Sequence, residues 1–140
     1  MLFPNLLLST VFFFLAAIHI YWAFGGKWGH SQAIPTDKDG NFIFAPGVAA
    51  TVIVALGLSL FGLFYLNNSE LLSINWPKQI NAIGAWAIPS IFVLRALGDF
   101  KYVGAFKRVK GTEFAEMDSK FFSPLCFIIG IIGFYLLINQ

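Results

Sequence analysis

Apolar residues fall in four long blocks along this 140-residue chain, each followed by a polar, glycine- or proline-bearing stretch. The blocks run from about 2 to 24, 46 to 66, 79 to 98 and 121 to 138. Each approaches the roughly 20 residues that carry a helix across a ~30 Å hydrocarbon core at 1.5 Å per residue. The pattern predicts an all-α integral membrane protein, four transmembrane helices in one antiparallel bundle, with residues 1–140 as a single domain. The last block is the shortest and is expected to stand nearly upright or slightly mismatched.

Punctuation sharpens the ends. Pro46 suits the first turn of the second helix, Asn67-Asn68-Ser69-Glu70 closes it, and Ser123-Pro124 reads as N-cap and first residue of the fourth. Pro89 lies inside the third block, removes a backbone hydrogen bond and predicts a kink. The first block lacks a basic leader and a small-x-small site, so it reads as a retained helix.

Composition agrees with a membrane chain. Hydrophobic residues make up 58% and charged residues 11%, against a usual charged fraction of about 25%. That is too little polar surface to cover a soluble domain. A net charge of +2 argues against a nucleic-acid partner, and the single Cys126 excludes an internal disulfide. Lys and Arg are unevenly placed: Lys27, Lys38, Lys101, Lys107, Arg108, Lys110 and Lys120 lie in the loops at 25–45 and 99–120, against only Lys78 on the other side. This predicts an inner-membrane protein with both those loops cytoplasmic and both termini outside.

Candidate chemistry gathers at the same end. Arg95 and Asp99 are four residues apart at the close of the third block, and Tyr102 extends their face if the helix continues. A charge in a span costs about 2.5–3.5 kcal/mol at its centre. Arg95 either snorkels to headgroups paired with Asp99, or both line a polar pocket. An arginine's planar fork suits a carboxylate or phosphate. In the first block, His19 and Trp22 share a helix face, with Tyr21 and Trp28 nearby. His19 is a candidate acid or base; the aromatics also suit an interfacial belt.

The loops have the residues to roof such a pocket. Gly25, Gly26 and Gly29 permit tight turns, and Asp37-Lys38-Asp39-Gly40-Asn41 is a turn signal. It resembles the start of a calcium loop without the downstream Glu. Lys107, Arg108 and Lys110 are expected at anionic headgroups, and Thr112 with Glu113, Glu116 and Asp118 begins a capped or amphipathic segment. Two histidines and one distant cysteine make no metal-ligand spacing, so no metal or cofactor is expected. There is no Gly-x-Ser-x-Gly elbow, and Cys126 reads as buried filler.

The stretches "HIYWAFGGKWG" and "LRALGDFKYVGAFKRVKGTEFAEMDSKFFSPLC" resemble a bacterial family of small four-helix membrane proteins, domain of unknown function 3995. The resemblance implies signature positions at His19, Trp22, Gly25, Gly26, Trp28, Gly29, Arg95, Gly98, Asp99, Thr112, Phe114, Asp118, Ser123, Pro124 and Leu125, and implies no ligand. The expected ligand-binding set is His19, Trp22, Trp28, Arg95, Asp99 and Tyr102, with membrane lipids and a lipid-like or small anionic molecule as partners. Two other readings stand beside it. One is a membrane enzyme on a lipid-like substrate with His19 and Asp99 as acid and base; the other is an accessory or immunity-type protein with a purely structural ion pair. A pore would need a homodimer, and no GxxxG lies inside a span.

Overall fold

The computed structural model describes residues 1–139. Its elements are α1 (Leu2–Ala23), α2 (His30–Ala33), α3 (Val48–Asn68), α4 (Lys78–Leu97), α5 (Glu113–Met117), a π-helical turn (Asp118–Phe122) and α6 (Ser123–Ile138). Among the described residues four helical runs are long and apolar enough to cross a membrane, the last being Glu113–Ile138 taken as one.

That last run corrects the expected boundary. It is the longest of the four, 26 residues, and begins well before Ser123. Thr112 is its N-cap: the side-chain oxygen accepts the Ala115 N–H at 3.0 Å, and Glu113 and Glu116 face the positive end of the helix dipole. Ser123 is therefore inside the helix. Pro124 has no N–H to offer the Lys120 carbonyl, and its ring crowds that carbonyl. The chain absorbs the defect as a wide turn in which the Ser123 N–H donates to the Asp118 carbonyl. At the other expected boundary, α3 begins at Val48 with Gly47 as its cap, two residues past Pro46.

The bundle is built from two helix pairs. α1 packs along α3 and α4 along α6, while α1–α6 and α3–α4 meet more sparsely. Phe12 is fully buried at the centre, stacked on Tyr65 at 5.7 Å and edge-on to Phe92 at 5.1 Å. Small residues bring the pairs close, as membrane helices require. A Cβ on Gly133 would sit 2.7 Å from Pro89 Cβ, and Ser9 Oγ donates to the Gly62 carbonyl at 2.9 Å. Large apolar side chains such as Phe14, Ile53, Leu94 and Ile131 point outward, a surface suited to lipid.

The two long loops meet at one end, where α2 packs against α5. In the first loop the Asp37 carboxylate accepts the N–H groups of Asp39 and Asn41 and the Asn41 side-chain amide. The bonds from Asn41 hold its carboxyl below the usual value. The Asp-x-Asp-Gly segment is a self-satisfied turn.

Candidate functional site

Arg95 does not pair with Asp99. Its Nη2 donates at 3.0 Å to Oδ1 of Asp118, which belongs to the π-helical turn. Asp118 is completely buried and takes three further hydrogen bonds: from Ser123 Oγ at 3.1 Å, Gly104 N–H at 2.8 Å and Lys107 Nζ at 3.1 Å. A carboxylate has about four acceptor positions, so Asp118 is saturated. Lys107 also donates to Ser119 Oγ at 2.7 Å and the Gly104 carbonyl at 3.1 Å. The Lys107 side chain is 2% exposed, so it is a buried counter-ion and not the headgroup contact expected of it. Arg108 and Lys110 do lie exposed. Two cations face one carboxylate, and the cluster keeps a net positive charge.

The reason Asp99 misses Arg95 is local. Gly98 ends α4 with φ of 81°, so the helical face does not continue to Asp99 or Tyr102. Asp99 Oδ1 instead accepts the N–H groups of Lys101, Tyr102 and Val103 at 2.9, 2.8 and 2.9 Å. Partial burial pushes this carboxyl up, but the three N–H donors outweigh that and hold it below its usual value. The loop so tied crosses itself at Gly98 and Gly104: a Cβ on either would strike the backbone of the other strand. That crossing delivers the Gly104 N–H to Asp118. Asp99 thus builds the loop, and Tyr102 lies half-buried in it under the Lys101 ammonium.

On α1, His19 Nδ1 lies 2.8 Å from the Leu15 carbonyl. A carbonyl only accepts, so Nδ1 carries a hydrogen at this contact, and in an uncharged ring Nε2 would be the acceptor. The ring stands edge-on to Trp22 at 5.0 Å, and Trp22 edge-on to His30 at 5.8 Å. Trp22 Nε1 donates to the Trp28 carbonyl at 2.7 Å, and the Tyr21 hydroxyl accepts the Trp28 N–H at 3.3 Å. These two bonds pin the glycine-rich start of the first loop to the end of α1.

A cavity of about 600 Å³ opens in the seam where α1 faces α4 and α6. Its walls are apolar along Leu15, Ile18, Phe92, Leu125 and Ile129, and Arg95, His19, Trp22, Trp28 and Gln32 border it too. The size falls in the usual 300–1,000 Å³ range for small-molecule sites. Arg95 is one-third exposed, and its Nη1 has no partner among the described residues. Cys126 lines the same cavity. Of the expected ligand-binding residues, His19, Trp22, Trp28 and Arg95 come together here; Asp99 and Tyr102 do not border it. Asp118, which holds Arg95, and Lys107, which holds Asp118, were not among the expected ligand-binding residues.

No group of three or more His, Cys, Asp or Glu placed to hold a metal occurs among the described residues. No curated protein and no solved structure matches the chain. A family model described as "Protein of unknown function (DUF3995)" matches residues 12–133. The match takes in the His19–Trp22 wall, Arg95, the Gly98–Gly104 crossing and Asp118 alike, and the chain belongs to the DUF3995 family.

Proposed function

We propose that this chain is an inner-membrane protein that binds or carries an amphiphile with an anionic head, its head beside Arg95 and its tail along Leu125 and Ile129. The observation that carries this reading is the seam cavity, apolar along its length and edged by a cluster of net positive charge. Asp118 is saturated, so it offers a ligand anion no competition for the remaining donors of Arg95. The excess of Lys and Arg in the loops at 25–45 and 99–120 supports a cavity on the cytoplasmic side.

A second reading, a membrane enzyme, is favoured by one observation. The Leu15 carbonyl fixes the His19 tautomer and leaves Nε2 as a base. Arg95 would then stabilise developing negative charge. Asp99 has no part in it, because it does not border the cavity and its Oδ1 is engaged by its own loop.

Cys126 tests the binding reading without any mutation. It is the chain's single cysteine and lines the cavity. Long-chain acyl carboxylate or acyl phosphate is expected to slow its alkylation by a small maleimide several-fold, and the uncharged acyl alcohol of equal length much less. Equal slowing by the alcohol, or none by any probe, contradicts the anionic-head reading and returns the cluster to a structural role.

A further inference from the structure

At the opposite end of the bundle, the loop between α3 and α4 folds over a second cavity of about 320 Å³. Its lining includes Asn67, Asn68, Asn75, Trp76, Lys78 and Asn81. The loop is held in shape before any ligand arrives. Asn67 Oδ1 accepts the Ile74 N–H at 2.7 Å, and Asn5 Nδ2 on α1 donates to the Asn68 carbonyl at 3.2 Å.

Buried polar atoms in native proteins are nearly always hydrogen-bonded. Five buried side-chain atoms lack a partner among the described residues, and three belong to residues of this lining: Asn68 Nδ2, Trp76 Nε1 and Asn81 Oδ1. Two are N–H donors and one is a carbonyl acceptor. A hydroxyl has the matching capacity, since it accepts two hydrogen bonds and donates one. Among the described residues no carboxylate lines the cavity, and Lys78 is its only charged side chain. A dense set of amides beside an indole suits a ligand that is neutral and rich in hydroxyls, with C–H faces the ring can cover.

From this lining we infer that the loop end of α3 and α4 is a binding site for a neutral polyhydroxyl group, a sugar or polyol, free or as a lipid headgroup. The site is independent of the Arg95 cavity.

The test uses the full chain in phosphatidylcholine nanodiscs, free of sugar detergents and of polyol headgroups. Glucose is added in solution, or monoglucosyl diacylglycerol is placed in the disc, and the melting temperature is followed. The expected result is a saturable rise with at least one probe, weakened tenfold or more in Trp76→Phe and Asn81→Leu. Trp76→Phe keeps an aromatic ring and Asn81→Leu a branched side chain of similar shape, while each removes one of the three atoms; an unchanged Cys126 alkylation rate checks their fold. A response to glucose alone assigns a free ligand, and a response to the glucolipid alone assigns a headgroup. No saturable rise with either probe, or a rise that both variants retain, overturns the inference and leaves the three atoms to ordered water only.

Discussion

Arg95 and Asp118 lie twenty-three positions apart in the chain and 3.0 Å apart in space. Their pairing joins the end of α4 to the wide turn that opens α6, and Gly104 and Lys107 close it from the intervening loop. An arginine in a membrane span is costly. Here it is compensated by a carboxylate whose every acceptor position is used, which leaves the guanidinium fixed at the edge of the seam cavity.

Asp118→Asn is predicted to be the most damaging single change at this end. It strips the counter-charge from the buried Lys107 and from Arg95 together, and breaking such buried pairs costs about 3–5 kcal/mol. Asp99→Asn keeps an oxygen for the three loop N–H groups and should cost only about 1 kcal/mol. Thermal melts in detergent separate the two. Equal losses would contradict the assignment of Asp118 as the partner.

The Asp99 contribution depends on pH with a definite sign. Its folded carboxyl sits below the ordinary value, so the stability it adds is whole above about pH 4 and is lost as the pH falls through the folded value. The gap in melting temperature between wild type and Asp99→Asn should therefore narrow from about pH 4 downward. A gap that widens on acidification would contradict the loop geometry.

Gly98 and Gly104 must both stay glycine. Each has positive φ, and each would drive a Cβ into the other's backbone. Either change to Ala should cost on the order of 3 kcal/mol. Gly111 also has positive φ but no atom within 4 Å of an added Cβ, and Gly111→Ala should cost nearer 1 kcal/mol. Comparing the three melts checks the order.

Trp22→Phe keeps a ring on the cavity wall but loses the bond to the Trp28 carbonyl. The expected loss is about 1 kcal/mol in stability, with faster hydrogen exchange confined to residues 24 to 33. Exchange spread evenly through the bundle would mean that Trp22 does not tie the loop.

The spans were legible because a bilayer demands long apolar runs, and this chain supplies four. His19, Trp22, Trp28 and Arg95 were legible as polar or amphipathic residues at one membrane depth. The partner of Arg95 was not. Helical spacing points from Arg95 to Asp99, but Gly98 breaks the helix between them. Ser123-Pro124 imitates a helix start, whereas Thr112 caps the run and Pro124 only widens it. Placing the start at Thr112 puts Asp118 and Ser123 on the helix that faces Arg95. Lys107 reads as surface by composition, and only its contacts with Asp118, Ser119 and Gly104 account for its burial.

The most direct measurement is native mass spectrometry of gently purified wild type beside Arg95→Gln and Leu125→Trp, the second of which fills the apolar wall while leaving the charge cluster alone. The predicted result is a discrete adduct of amphiphile mass on the wild type, lost from both folded variants. A wild type without adduct after acyl carboxylate and acyl phosphate are supplied, or an adduct that both variants keep, would contradict a ligand held between Arg95 and the α6 wall.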